Sequence, residues 1–232
     1  MQLRNFLTAR WCNLILANYR VPEEMLAPLL PPGCELDRFD GSPVASLVAF
    51  QFLETRVLGI PWPGFRNFPE WNLRFYVRDG EKRGVCFVRE FVPQWFVATV
   101  ARLIYNEPYR SARMAMAVED RVESVTAEYT VDWNGRKNRL FVEGEKPAFR
   151  PGPDSMEHFF KEHSWGYGTT RRGNLLTYRV NHPEWDVYPV RSSIIDVDWA
   201  AMYGPEWGIM TNATPSSVVF AVGSEVSVFP KS

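Results

Sequence analysis

The sequence predicts a mainly β (α+β) fold, an antiparallel sheet system that is curled or closed and carries two or three peripheral helices. Three observations lead there. Apolar and polar residues alternate with a period of two in several stretches, and turn pairs such as Asn134 and Gly135 join such stretches. One segment alone repeats its apolar residues at three- and four-residue intervals over a full helical length.

Taken in order, Trp11 to Tyr19 is the first expected strand. Pro22, Glu23 and Glu24 open a short helix, with proline at an early position and acids where the helix dipole favours them, and Pro31, Pro32 and Gly33 stop it. Val44 to Phe52 is a nearly continuous apolar run of strand length. A proline-rich loop (Pro61, Pro63, Gly64) leads into a strand over Phe68 to Val77. Asp79 and Gly80 then turn the chain back through Gly84 to Glu90 as a hairpin partner. The long helix starts at Pro93. Phe96, Val97, Val100, Leu103 and Ile104 give it an apolar stripe to pack on the sheet, and Asn106 and Pro108 end it.

Ser111 to Val118 and Val122 to Trp133 follow as strands, the second alternating Val125, Ala127, Tyr129, Val131 and Trp133 with Thr126, Glu128, Thr130 and Asp132. Asn134 and Gly135 mark a sharp hairpin into Arg136 to Glu143. After a loop from Gly144 to Pro153, Asp154 or Ser155 can cap a short helix running through His163. Beyond it lie strands at Leu175 to Val180, Asp186 to Asp198 and Val218 to Phe229. These offer little core of their own, so residues 1–232 read as a single domain.

Composition narrows the function. The chain is 46% hydrophobic and 23% charged, with a net charge of −1, which provides no global positive field to hold DNA or RNA. No window approaches the ~18 consecutive apolar residues of a membrane span, and Arg10, Asn13 and Asn18 interrupt the apolar N-terminal stretch that a signal peptide would need. Cys12, Cys34 and Cys86 are widely spaced and odd in number, which suits neither a disulfide framework nor a zinc site. A reducing, cytoplasmic setting is expected, with no cofactor implied; a homo-oligomer is left open.

The most informative stretch is Phe68 to Val77. As a strand it places Glu70, Asn72, Arg74 and Tyr76 on one face and Trp71, Leu73, Phe75 and Val77 on the other. The first face is either a wet sheet surface or the polar lining of a cavity. If buried, Glu70 and Arg74 stand too far apart along the strand to pair by default, so each needs a partner from elsewhere. Candidates are Arg102, Arg110 and Arg113 for Glu70, and Glu90 or a bound carboxylate for Arg74.

The spellings Asp40, Gly41 then Leu47 to Phe52; Phe68, Pro69, Glu70 with Asn72 and Arg74 to Val77; Gly84, Val85; Ala101, Arg102; and Pro108, Tyr109 then Ala112 and Met114 resemble the YqjF-like uncharacterised family. The resemblance extends through Tyr167 and His182, Pro183, Trp185. That family is placed in the acetoacetate decarboxylase-like superfamily, which implies a cone-shaped antiparallel barrel with an internal cavity and Glu70, Asn72 and Arg74 facing inward. It also implies a Schiff-base lysine after a proline that follows the main helix. At the matching stretch this chain reads Pro108, Tyr109, Arg110, so the amine is missing.

The lysines agree with that reading. Schiff-base chemistry needs an amine made neutral near pH 7 by desolvation or a neighbouring cation. Lys82, Lys137, Lys146, Lys161 and Lys231 lie in turns, a loop, a charged helix face and the tail, none on an apolar strand. No G-x-S-x-G elbow, phosphate loop or H-E-x-x-H is present. His158, His163 and His182 lack metal-ligand spacing and read as solvent-facing or singly hydrogen-bonded.

The first functional reading is a protein that binds a small organic (oxo-)acid, with Arg74 or Arg102 clamping the anion and Asn72, Arg110 and Arg113 beside it. A second is a lysine-independent enzyme, a hydratase, enolising or decarboxylating lyase, using Glu70 and Tyr109 for proton transfer. A third is an interaction module whose barrel is filled by a salt-bridge network. Trp62, Trp71 and Trp95 are candidate cavity walls, and a cavity of roughly 300 Å³ or more favours the first two readings.

Overall fold

The computed structural model describes residues 5–104, 106, 108–152, 155–161 and 163–231, with the backbone alone for 100–104 and 161. The strands are β1 (Leu7–Arg20), β2 (Glu35–Leu36), β3 (Arg38–Phe39), β4 (Ser42–Val57), β5 (Phe68–Asp79), β6 (Lys82–Val92), β7 (Tyr109–Ser111) and β8 (Arg113–Asp120). They continue as β9 (Ser124–Trp133), β10 (Arg136–Glu145), β11 (Trp165–Thr169), β12 (Leu175–Asn181), β13 (Val187–Tyr188), β14 (Val190–Asp196) and β15 (Ser217–Val228). The described helices are α1 (Glu23–Leu26), α2 (Trp95–Ile104), α3 (Met156–Lys161) and α4 (Trp199–Tyr203), with 3-10 turns at Ala27–Leu29 and Pro205–Asn212.

The strands form an 11-stranded sheet and a 4-stranded sheet, the latter in the order β14-β10-β9-β8. In the large sheet, β5, β4, β1, β15, β12, β11 and β6 follow one another, and the pairing of β6 with β5 brings the series back to its start. The ring is uneven. β12 meets β15 through only Val180 and Asn181, whereas β1 pairs with β15 from Leu7 to Asn18. A ring tightly laced on one side and barely joined on the other splays into a cone, the expected shape. Two pairings depart from the antiparallel expectation, since β6 runs parallel to both β11 and β7.

Period-two alternation divides the apolar residues between two cores. Leu14, Leu16, Val48, Phe50 and Phe52 belong to one cluster; their strand neighbours Ile15, Ala17, Leu47 and Ala49 belong to the other. The second cluster also takes in Trp71, Leu73, Phe75 and Val77 of β5 with Tyr129, Val131, Leu140 and Val142 of the small sheet. The apolar face of β5 therefore looks out of the ring toward the second sheet, and its polar face looks in.

The segment after β14 differs from the sequence expectation. Trp199, Met202, Tyr203, Trp207 and Met210 are all buried in the core shared by the two sheets. Trp71 Nε1 donates to Tyr203 Oη at 2.7 Å, and Trp133 Nε1 donates to the Ala201 carbonyl at 2.9 Å. Asp198 caps α4 by accepting from the Ala201 amide, and its own amide donates to Asn138 Oδ1 at 2.8 Å. This helical insert packs between the sheets in a segment, residues 199–217, to which the sequence reading assigned no element.

Helix α2 starts at Trp95, two residues beyond Pro93; Trp95 is 71% exposed, whereas Ala98 is buried and Val97 packs beside it on the inner core. Helix α3 is short and depends on its cap. Ser155 Oγ accepts from the His158 amide at 3.1 Å, and the helix delivers Phe159 and Phe160 to the inner core. Ser155→Ala is expected to cost about 1 kcal/mol, a fall in Tm of about 2–4 °C. An unchanged melting curve would show that the cap contributes nothing. No helix among the described residues is long and apolar enough to cross a membrane.

Candidate functional site

The ring encloses a cavity of about 340 Å³, and Glu70, Asn72 and Arg74 line it together with Glu90, Tyr109 and His163. Register explains the grouping. Asn72 lies opposite Glu90 on β6, and Glu90 lies opposite Tyr109 on β7, so one row of inward positions crosses three strands. Between β5 and β6 the register shifts where Leu73 faces Arg89 but Arg74 faces Phe87. The extra residue, Val88, reverses the parity of β6, so that Phe87 and Val85 share the cavity with Glu90.

Glu70 is 3% exposed, and its partners are neutral. Asn72 Nδ2 donates to Oε1 at 3.0 Å, and Tyr109 Oη donates to Oε2 at 2.9 Å. Burial pushes the carboxyl up to about 7, with these two hydrogen bonds and the charge of Arg74 opposing the rise. Among the described residues no guanidinium hydrogen-bonds to it, so burial prevails and the acid is poised near neutrality.

Arg74 has the opposite character. It is 8% exposed, yet among the described residues it makes no hydrogen bond or ion pair, and its Nε is fully buried. Its contacts are the Tyr76 ring, 5.9 Å from the guanidinium carbon, and the field of Glu70. Asn72 Oδ1 is likewise buried without a hydrogen-bond partner among the described residues. Tyr76 itself is anchored behind the wall by Ser46 Oγ at 2.7 Å, and Ser46 donates to Asn18 Oδ1 at 2.5 Å.

Several expected members of the site stand elsewhere. Arg110 lies opposite Phe91 on the outward parity of β7; it is exposed and donates to the Tyr109 carbonyl. Arg113 begins β8 in the small sheet, 90% exposed by side chain and 3.9 Å from Asp132. Neither reaches Glu70. The side chain of Arg102 lies outside the described residues. Of the three tryptophans, Trp62 lines the cavity, Trp71 faces the opposite core, and Trp95 points to solvent.

Sequence reasoning missed a second polar cluster. His163 is buried rather than solvent-facing, with Nε2 2.9 Å from Asp37 Oδ2 and Nδ1 2.9 Å from the Phe159 carbonyl. Asp37 Oδ2 also accepts from Arg83 Nε at 2.6 Å. Burial lowers the imidazole below its usual range against the pull of Asp37, and Arg83 and Arg74 add to the lowering. Burial opposes ionisation of Asp37, but the hydrogen bonds from His163 and Arg83 outweigh it and hold its carboxyl below the usual value. Asp37 and His163 are far apart in sequence, so no spacing rule could have joined them.

The rest of the wall is aromatic and aliphatic. Trp11, Phe50, Phe52 and Phe68 form a contiguous group, with Trp11 5.3 Å from Phe50 and Phe52 stacked on Phe68 at 4.8 Å. His182 stacks on Trp185 at 4.6 Å and also lines the cavity. Trp62 and Phe96, about half exposed, mark where the cavity meets solvent; Phe65 and Phe96 touch across that opening at 5.5 Å. No lysine lines the cavity among the described residues. Lys82 lies over the Trp165 ring at 4.9 Å, and Lys146 is paired with Asp120. A surface hollow of about 450 Å³ beside Val122, Lys146 and Tyr188 involves none of the inward-facing polar residues.

Comparison with known proteins agrees with the motif resemblance. The family model DUF2071, described as an uncharacterized conserved protein, matches residues 8–225. Uncharacterized protein YqjF of Bacillus subtilis (strain 168) is 27% identical over 179 residues, which are 75% of this chain and 72% of that protein. Acetoacetate decarboxylase from Legionella pneumophila superposes with a TM-score of 0.63 at 13% identity, covering 96% of this chain and 84% of its own. The enduracididine biosynthesis enzyme MppR, complexed with pyruvate, superposes with a TM-score of 0.65 at 12% identity, covering 99% and 90%. At such identities the structural likeness establishes the acetoacetate decarboxylase-like fold and nothing finer.

Proposed function

We propose, for a chain that belongs to the DUF2071 family, that it binds a small organic acid in the ring cavity, with Arg74 as the anion clamp. The observation that carries this reading is a buried guanidinium with no hydrogen bond or ion pair among the described residues. Desolvating a cation costs several kcal/mol. A structural network would answer that cost with a protein carboxylate on the guanidinium, whereas a ligand carboxylate can answer it with paired hydrogen bonds. Asn72 adds polar capacity on the same row. The fold neighbour complexed with pyruvate supports an oxo-acid as the ligand class.

The reading requires no amine. The residue after Pro108 is Tyr109, and no described lysine side chain lines the cavity. A direct test compares 2-oxohexanoate with hexan-2-one, which share a tail and differ in the carboxylate, by thermal shift and calorimetry. The acid is expected to raise Tm and the ketone to leave it near the unliganded value. Equal binding of both would falsify the role of Arg74.

The contact between Tyr109 and Glu70 favours a second reading, proton transfer on the bound acid. A carboxyl raised to about 7 is divided between acid and base at neutral pH, the condition for general acid–base work. In this reading Glu70 removes a proton from the carbon next to the ketone, and Tyr109 holds the carboxylate in place. Exchange of those carbon-bound protons in deuterium oxide, followed by NMR, is expected for the wild type and lost in Glu70→Gln. Exchange that survives the substitution rejects the base.

A further inference from the structure

We infer that the preferred ligand is an organic acid with an apolar tail of several carbons, straight or ring-bearing, not a two- or three-carbon acid. This rests on the reading of Arg74 as anion clamp and specifies what lies beyond the carboxylate. The argument is the distribution of polarity around the cavity. Glu70, Asn72, Arg74, Glu90 and Tyr109 all come from one wall, the adjacent strands β5, β6 and β7. The wall continues from β5 into the inner faces of β4 and β1, which present Phe50, Phe52, Trp11 and Leu14, with Phe68 at the head of β5 and Trp185 beyond; Phe50 stands directly across the strands from Glu70, so the apolar surface begins beside the acid.

Size points the same way. A volume of about 340 Å³ sits at the lower end of the range for small-molecule sites. A three-carbon acid held at Arg74 leaves the aromatic wall facing solvent. Water held there is poorly bonded, because each ordered molecule needs two to four polar partners and this wall supplies little beyond Trp11 Nε1, which is buried without a hydrogen-bond partner among the described residues. Displacing it with hydrocarbon is favourable. The rings already meet edge-to-face and stacked, Trp11 at 5.3 Å from Phe50, Phe52 at 4.8 Å from Phe68 and His182 at 4.6 Å from Trp185. Such surfaces accept a flat ring in the same geometries.

The polar wall also restricts the tail. Beyond Arg74 it offers no second described lysine or arginine, so a second anionic group on the ligand would be buried without a cation to pair with. A dicarboxylate is therefore excluded along with the short acids. The entrance fits the same ligand, since Trp62, Phe65 and Phe96 place apolar surface where the tail must pass.

The experiment is a calorimetric series on the wild-type chain at pH 6 with pyruvate, 2-oxohexanoate, phenylpyruvate and 2-oxoglutarate, with hexan-2-one as the uncharged control. Each buried methylene is worth about fourfold in affinity, so 2-oxohexanoate is expected to bind roughly 60-fold more tightly than pyruvate. Phenylpyruvate should bind at least as tightly as 2-oxohexanoate, and 2-oxoglutarate no better than pyruvate. If pyruvate matches the longer acids while hexan-2-one fails to bind, the clamp stands and the tail inference falls. If hexan-2-one matches 2-oxohexanoate and both exceed pyruvate, the apolar wall stands and the clamp falls. Absence of binding by every compound overturns both.

Discussion

Arg74→Met is expected to weaken 2-oxohexanoate binding by roughly 100-fold or more while leaving the unliganded protein as stable as the wild type. Truncating the charged partner of a buried, hydrogen-bonded ion pair costs ~2–5 kcal/mol, and the complex has no second described cation to take over. The unliganded state behaves differently. Arg74 forms no hydrogen bond or ion pair among the described residues, so its removal breaks none, and methionine refills much of the space with a flexible apolar chain. Thermal melts and calorimetry on the same samples separate the outcomes. A Tm that falls by several degrees, with binding intact, would identify Arg74 as part of a filled barrel and remove the anion site.

Glu70→Gln is expected to stabilise the protein at pH 8 and to do nothing at pH 4.5. The sign follows from linkage. The folded carboxyl titrates at about 7, above its ordinary value of 4.5, because burial outweighs the help of Asn72, Tyr109 and Arg74. As pH rises from 4.5 to 7 the unfolded chain gives up a proton that the folded chain keeps, so stability falls across that window and levels above it. The accumulated cost is on the order of 3 kcal/mol. Glutamine avoids it and can still accept from Tyr109 through its carbonyl. The variant should therefore melt roughly 5–10 °C above the wild type at pH 8. A difference in Tm that is the same at both pH values would mean that Glu70 does not titrate in this window.

The same protonation bears on binding. Below pH 7 Glu70 is neutral and leaves Arg74 free to meet an anion; above it the carboxylate competes for the guanidinium and repels the ligand. Affinity for 2-oxohexanoate should decline as pH rises through 7, and the decline should vanish in Glu70→Gln. This also separates the two functional readings. Binding of an acid is favoured by the protonated carboxyl, whereas abstraction of a proton requires the ionised one.

Much of the architecture was legible in local pattern. The alternation along Phe68 to Val77 identified both faces of β5, and the turn residues at Asp79, Gly80, Asn134 and Gly135 placed the hairpins β5–β6 and β9–β10. The buried helical insert after Asp198 was missed, although Trp199, Met202, Tyr203, Trp207 and Met210 recur at helix-like intervals. Gly204 and Pro205 split that pattern into two pieces, each too short to stand out. Arg110 and Arg113 were assigned to the site on charge alone. Strand parity and the boundary between the two sheets place them outside it.

By itself the sequence determined which side chains share a face, because that depends only on the two-residue repeat of an extended backbone, and it determined that no lysine follows Pro108. Only tertiary structure decided that the polar face of β5 looks into a hollow, since both faces are buried and burial alone cannot tell a cavity from a core. It alone brought Tyr109 to Glu70 and His163 to Asp37, contacts made by chain closure between segments with no common local pattern. It alone left Arg74 buried in the cavity wall, because a partner is a matter of distance in space, which spacing along the chain does not encode.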